Sequence, residues 1–166
     1  MFHLDANVFI TPSRTYYGVD LVPSYWEWLE DGFSKADIAS IESVKDELLQ
    51  GNDWLANWVN EPKISAAWLA PGKDAADYVE QLMEWAMDEH SGFSSSAIDE
   101  FADSADLMLI AQAAEGDHTI VTFEESNPRS RRRILIPDAA KVIGVACVKP
   151  WEMQGSLLQH NLDVPG

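Results

Sequence analysis

The chain of 166 residues contains one cysteine, Cys147, and no long hydrophobic run. A single cysteine excludes an internal disulfide and a zinc cluster built from several cysteines. No apolar stretch approaches the roughly 20 residues that span a bilayer. The N-terminus also lacks the basic region and long apolar run of a signal peptide. We therefore expect a protein of the reducing cytoplasm with no membrane association.

Positive charge is scarce: the chain has 11 Lys and Arg residues against 28 Asp and Glu residues, so its formal net charge is -17. This balance argues against broad, non-specific nucleic-acid binding, because phosphate affinity depends on cationic side chains. No Lys or Arg lies between Lys73 and Arg129, whereas 14 acids do. Most of those acids fit solvated helix faces. The positive charge concentrates late, in a cluster formed by Arg129, Arg131, Arg132 and Arg133.

Short apolar runs alternate with amphipathic segments along the whole chain, and 46% of the residues are hydrophobic. This length and apolar content suffice for one core, so we expect a single domain over residues 1–166. Strand signals precede Asp5, cover 36–41 and 118–122, and recur within 143–148, while helix signals cover 23–30, 43–50, 74–90 and 105–115. The alternation predicts an α/β fold.

Local signals add detail to the helices. Ser43 and Asp46 have the spacing of a capping box, and Ser104 is placed to cap the apolar helix that follows it. Trp54 and Trp58 lie four residues apart, which predicts one more helix.

Four carboxylates stand at the ends of predicted strands, in the first turn of a predicted helix or in a short helix that follows a strand: Asp5, Glu47, Asp106 and Glu124. Parallel topology can bring such positions to one edge of a sheet. Four converging acids would repel one another unless a divalent cation neutralised them, and Mg²⁺ and Mn²⁺ prefer hard oxygen ligands. The sequence therefore suggests a metal site at this edge.

Each assignment has a competing interpretation. Asp46 competes with Glu47, Asp103 competes with Asp106, and Glu124 also fits an ordinary loop acid. The arginine cluster fits a contact with an RNA backbone, because Arg pairs bidentately with phosphate. It fits equally a solubilising loop or a docking site for an acidic partner.

Local sequence around these acids resembles the PIN domain, a family of metal-dependent nucleases that includes toxins of many prokaryotic toxin-antitoxin pairs. The similar segments run from Leu4 to Ile10, Val44 to Leu48, Ala105 to Ala113 and Val121 to Glu124. At the last of these positions the family usually has Asp, so Glu124 is a departure. The chain is most similar to the PIN-like subgroup called domain of unknown function 4411, through the segments Tyr16 to Asp20, Ile136 to Asp138 and Gly144 to Cys147.

The resemblance implies a three-layer α/β/α sandwich with a central, mostly parallel twisted sheet. It also implies a Mg²⁺- or Mn²⁺-dependent ribonuclease, in which Asp5 and Asp106 hold the ion directly and Glu47 and Glu124 complete its shell. Asn7 and Thr122 would orient waters or a phosphate, although Thr122 also fits a strand-end hydrogen-bonding residue. Expected partners are RNA, a cognate antitoxin and a second copy of the chain.

Two other functions stay open. Haloacid-dehalogenase-like phosphatases also begin with a strand-end Asp, but they carry a second Asp where this chain has Asn7. A non-catalytic PIN-like binding module is the other possibility. We expect Cys147 to be a core strand residue, and His3, His90, His118 and His160 show no metal-ligand spacing. Seven tryptophans are expected in the core or at interfaces and not as base-stacking platforms: Trp26, Trp28, Trp54, Trp58, Trp68, Trp85 and Trp151.

Overall fold

A computed structural model of the protein describes residues 1–15, 17–51 and 53–162, with side chains described to residue 159. Tyr16 and the side chain of His160 lie outside the described residues. The described strands are β1 (Phe2–Leu4), β2 (Ile38–Ile41), β3 (Trp68–Leu69), β4 (Thr119–Val121) and β5 (Cys147–Val148). They form one five-stranded parallel sheet in the order β3-β2-β1-β4-β5.

The helices are α1 (Asn7–Arg14), α2 (Pro23–Ser34), α3 (Glu42–Leu49), α4 (Trp54–Trp58), α5 (Ala75–Met87), α6 (Ser95–Asp103), α7 (Ala105–Glu115), α8 (Ile136–Val142) and α9 (Pro150–Leu162), with a 3-10 helix at Pro62–Ala67. Together with the sheet they form the expected three-layer α/β/α sandwich, which confirms the predicted fold class. None of the helices in the described part of the chain has both the length and the apolar character needed to cross a membrane.

The strand order reverses between β1 and β4, which are neighbours in the sheet although more than 100 residues separate them. Leu4 pairs with Val121 at the end of this ladder, and the next N–H group, that of Asp5, donates to the Val121 carbonyl at 3.0 Å. A reversal of strand order opens a crevice outside the carboxyl ends of the strands, where α/β proteins bind ligands. Asp5 and Thr122 therefore emerge together at this crevice.

An aromatic cluster fills the core beside β1 and β2. Phe9 of α1 packs 6.2 Å from Trp58 and 5.8 Å from Trp68, measured between ring centroids, and Trp26 lies 5.1 Å from Trp58. All four rings are buried. The expected core position is thus confirmed for three tryptophans, whereas Trp151 is 61% exposed and lies outside the core.

Helix caps are the least accurate of the sequence-based predictions. The capping box at Ser43 is wrong, because α3 begins one residue earlier and no side chain caps it. Ser104 does occupy the N-cap position of α7, but its hydroxyl donates to the Phe101 carbonyl at 2.9 Å instead of accepting from α7. Cys147 lies in a strand as expected, but it is only half-buried because β5 is an edge strand.

Candidate active site

A cleft of about 690 Å³ lies at the carboxyl edge of the sheet, beside the switch between β1 and β4. Five residues selected from the sequence line it: Asp5, Asn7, Glu47, Asp106 and Arg133. They arrive from the end of β1, the start of α1, α3, the first turn of α7 and the loop before α8. The fold thus brings together residues that are distant in sequence.

Asp5 is the most deeply buried acid of the cleft, at 2% exposure. Its Oδ2 accepts a 2.8 Å hydrogen bond from the Thr122 hydroxyl, and its Oδ1 accepts a long one of 3.4 Å from the Asn7 N–H. Burial raises the pKa of Asp5 to about 6, and the charges of Glu124 and Glu47 add to this, while the two hydrogen bonds act in the opposite direction. Asp5 is therefore a carboxylate whose ionised form has too little compensation from the protein.

Asp106, like Asp5, has a raised pKa. It lies in the first turn of α7, where the helix dipole favours a carboxylate. Desolvation nevertheless raises its pKa to about 7, reinforced by the charges of Asp5, Glu124 and Glu47 and only partly offset by Arg133. The two aspartates thus share a region of concentrated negative charge that a cation would relieve.

Glu47 also lines the cleft and is an exposed residue. Partial desolvation of its carboxyl group raises its pKa. Its competitor Asp46 also lines the cleft, as does Asp103, the competitor of Asp106. Glu47, and not Asp46, is among the charges that act on both Asp5 and Asp106. The electrostatic coupling therefore favours Glu47 as the third member of the site.

Glu124 behaves differently from the other three acids. Its Oε1 accepts from Arg133 Nη2 at 2.7 Å, and its Oε2 accepts from the N–H of Ile136, the first residue of α8, at 2.8 Å. The side chain is 10% exposed and lines a neighbouring cleft of about 270 Å³, not the large one. Each carboxylate oxygen accepts one hydrogen bond, so in this arrangement Glu124 holds Arg133 and α8 in place.

Thr122 connects the two groups of acids. Its buried hydroxyl donates to Asp5 and accepts from the Glu124 N–H at 3.0 Å. Because the hydroxyl uses its proton toward Asp5, it fixes the orientation of that carboxylate. Thr122 is thus a strand-end hydrogen-bonding residue that also supports the site.

The arginine cluster divides into separate environments. Arg133 reaches the acidic cleft, whereas Arg131 lies across the Phe93 ring in a different cleft. All four arginines are exposed, and Arg129 and Arg132 line neither of these clefts. The four arginines therefore face different surroundings, which the sequence alone did not separate.

The acids of the cleft meet some of the requirements of a site for a divalent cation and fail others. In the described ranges, no three His, Cys, Asp or Glu side chains converge closely enough to form a complete metal site. Asp5 and Asp106 nonetheless supply hard oxygen donors with unrelieved mutual repulsion. Mg²⁺ usually keeps several waters and uses only one or two protein carboxylates directly. Asp5 and Asp106 are therefore the two residues of the cleft that could hold such an ion.

The sequence did not reveal the importance of Lys149. Its ammonium group donates to the carbonyls of Phe123 at 2.8 Å and Glu124 at 2.6 Å, which anchors the segment after β4. Nothing in its local sequence indicates this role, because the hydrogen bonds join residues 25 and 26 positions apart.

His3 and His118 form a ring pair that no local sequence pattern indicates. The rings of His3 and His118 lie 4.4 Å apart, and burial lowers the pKa of His3 to about 4. His3 lies within β1, ahead of the strand end that carries Asp5, and pairs with Ile120 of β4. The neutral pair is part of the packing between β1 and β4.

Comparison with curated proteins and with solved structures gives no match. The sequence does match the family described as Domain of unknown function (DUF4411) over residues 2–158. The match spans every described strand and most of α9. The chain therefore belongs to the DUF4411 family.

Proposed function

We propose that the protein is a divalent-metal-dependent ribonuclease that hydrolyses phosphodiester bonds of RNA. The observation that carries the proposal is the pair Asp5 and Asp106, whose pKa values are raised to about 6 and about 7 in a cleft at the sheet switch point. Two repelling carboxylates with perturbed pKa values in a cleft are typical of a functional site. The resemblance of their local sequence to PIN domains supports the choice of nuclease.

Asp5 and Asp106 would hold Mg²⁺ or Mn²⁺, with Glu47 reaching it through water. The bound ion would supply an activated water and charge neutralisation at the phosphate. Thr122 fixes the carboxylate of Asp5 through its hydroxyl. Arg133, held by Glu124 at the rim of the cleft, would contact a non-bridging phosphate oxygen.

The biological part of the proposal depends on the PIN resemblance. We propose a toxin of a prokaryotic toxin-antitoxin pair that acts in the cytoplasm, with a cognate antitoxin and a second copy of the chain as protein partners. The acidity of the cleft, which Asp46, Glu100 and Asp103 also line, suits a partner that presents cationic side chains.

The test measures hydrolysis of a structured RNA and of a small phosphomonoester by the purified protein, each with and without Mn²⁺ or Mg²⁺. The RNA should be cut only with metal, while the phosphomonoester should stay intact. Hydrolysis of the phosphomonoester alone would instead indicate a phosphatase. Binding of RNA without cleavage under any metal condition would indicate a non-catalytic binding module.

A further inference from the structure

A separate cleft of about 320 Å³ lies on the other side of the arginine cluster. Its wall includes Trp85 of α5, Phe93, Arg131 and Lys141 of α8. It shares none of its lining residues with the acidic cleft. We call it the aromatic cleft.

Three of its side chains lie together in an edge-to-face and cation–π arrangement. The rings of Trp85 and Phe93 meet edge to face, with centroids 5.3 Å apart and planes at 72°. The guanidinium carbon of Arg131 lies 5.9 Å from the Phe93 ring centroid. Aromatic rings and the guanidinium plane of Arg are the surfaces on which proteins stack the unpaired bases of RNA.

The position of Arg131 is fixed by its surroundings. Its Nη1 donates to the carbonyls of Pro128 at 2.8 Å and Ser130 at 2.7 Å, and its own carbonyl accepts from the Ser94 N–H at 2.9 Å. Gly92 adopts a φ of +70°, and a Cβ atom there would stand 2.9 Å from Arg131 Nε. Gly92 thus makes room for the guanidinium group, which is already in place before any ligand arrives.

The charge around the aromatic cleft contrasts with the rest of the molecule. The chain carries a net charge of -17, yet Arg131 and Lys141 line this cleft and further arginines lie in the same loop. Its one acidic lining residue, Asp138, accepts hydrogen bonds from the Ser126 hydroxyl and the Asn127 N–H. Within the described ranges, Lys141 forms no salt bridge. The cleft therefore suits an anionic ligand with a flat apolar part.

We propose that the aromatic cleft binds one base of single-stranded RNA, with Lys141 contacting an adjacent phosphate, which departs from the sequence-based expectation for Trp85. This inference rests on the proposed ribonuclease function and defines where its substrate lies. Arg131 and Arg133 are two residues apart, one facing the aromatic cleft and the other the acidic cleft. An RNA strand that places a base against Trp85 and Phe93 can thus continue past Arg133 to Asp5 and Asp106.

The experiment measures binding without cleavage, in EDTA at low salt, by fluorescence anisotropy of labelled hexauridylate. A ribose-phosphate oligomer of the same length without bases is the second ligand, and labelled hexaglutamate is the third. The variants are Phe93→Leu, which keeps apolar volume without an aromatic face, and Arg131→Lys, which keeps the charge without the planar group. Trp28→Leu is the matched control, because Trp28 lines another cleft of the protein.

We expect Phe93→Leu and Arg131→Lys each to weaken hexauridylate binding about tenfold, since stacking strengthens binding by roughly that factor or more per base. Trp28→Leu should bind as the wild type does, and the abasic oligomer should bind weakly and equally to all four proteins. Equal affinity of the wild type for both oligomers would overturn the base site and leave a phosphate site only. Binding of hexaglutamate without binding of hexauridylate would overturn it in favour of an acidic protein partner. Failure to cleave RNA with metal would contradict the proposed function separately.

Discussion

The hydroxyl of Thr122 donates a 2.8 Å hydrogen bond to Oδ2 of Asp5, joining residues 117 positions apart at the ends of β4 and β1. The same hydroxyl accepts from the Glu124 N–H. A single buried oxygen therefore links the proposed metal ligand Asp5 to the segment that places Glu124 and Arg133.

Replacing Thr122 with Val tests this link, because the change keeps the shape and removes the hydroxyl. We expect the free energy of unfolding to fall by about 1–3 kcal/mol, since the Glu124 N–H and the Asp5 carboxylate each lose a partner in a buried place. Urea denaturation of both proteins measures the difference. Thr122→Ser retains the hydroxyl, so its free energy of unfolding should fall clearly less than that of Thr122→Val. Equal decreases for the two variants would show that the methyl group, and not the hydrogen bond, stabilises the protein.

The raised pKa values of Asp5 and Asp106 predict a pH-dependent cost in the metal-free protein. Each carboxyl keeps its proton in the folded state at a pH where the unfolded chain has released it. The stability contributed by these groups is therefore greatest below about pH 4, where both states are protonated, and falls as the pH rises from about 4 to about 7. His3, whose pKa is lowered by burial, acts in the opposite direction between about pH 4 and 6.5, so the wild-type profile alone does not isolate the acids.

Asp106→Asn isolates the effect. In metal-free buffer at pH 8 we expect this variant to exceed the wild type in unfolding free energy by roughly 1–3 kcal/mol, and to differ little from it near pH 4. Chemical denaturation at the two pH values provides the comparison. A variant less stable than the wild type at pH 8 would mean that the ionised Asp106 is compensated inside the protein.

Bound Mn²⁺ should make the wild type more stable than Asp106→Asn at pH 8. A ligand at 100 times its dissociation constant stabilises the state that binds it by about 2.7 kcal/mol. Wild-type protein at pH 8 should gain thermal stability as Mn²⁺ is added, and Asp106→Asn should gain little. Calorimetric scans over a Mn²⁺ series test this, and equal gains for both proteins would place the ion elsewhere.

Glu124→Gln distinguishes a metal ligand from a residue that positions Arg133. Because both Glu124 oxygens already accept hydrogen bonds, we expect Mn²⁺ affinity to change by less than about threefold, against the roughly 10- to 100-fold typical when a residue that supports a metal shell is removed. RNA cleavage should fall to a level similar to that of Arg133→Ala. Isothermal titration with Mn²⁺ supplies the first quantity, and a fall in affinity beyond tenfold would show that Glu124 acts on the ion, as a ligand or as a support of one.

Replacement of Arg131, Arg132 and Arg133 by Ala together should weaken RNA binding and flatten its salt dependence. Each arginine that no longer neutralises a phosphate reduces the slope of log affinity against log salt by about 0.7 for single strands. Binding titrations between roughly 50 and 200 mM salt measure the slope. An unaltered slope would instead support the other interpretations of the arginine cluster, a solubilising loop or a docking site for an acidic partner.

Regular patterns made much of the fold predictable. The apolar spacing of α5 and the run of apolar residues in α7 identified both helices close to their observed bounds. Helix α6 was missed because Gly92 and the serines before Ala97 have the composition of a loop, although Ser94 caps the helix by accepting from the Ala97 N–H at 3.2 Å. The two-residue strand β3 is too short to show any alternation.

Within the site, three of the four acids chosen from the sequence line one cleft, but the contacts that each acid makes could not be predicted. Asp5, Glu47 and Asp106 reach this cleft because they follow or flank strands of a parallel sheet, whereas Glu124 lines a neighbouring one. The engagement of Glu124 with Arg133 and α8 depends on the path of the loop between β4 and α8, which no local pattern encodes. The anchoring of that loop by Lys149 is likewise a long-range interaction.

The most direct measurement of the central claim is the rate of RNA cleavage with Mn²⁺ at pH 8 for the wild type and for Asp5→Asn, purified in parallel and shown by circular dichroism to be folded. We expect cleavage by the wild type that EDTA abolishes, and a rate at least about 100-fold lower for Asp5→Asn, since removing a charge-stabilising group at a catalytic site commonly costs that much. Equal cleavage by the two proteins would contradict the assignment of this cleft as a metal-dependent nuclease site.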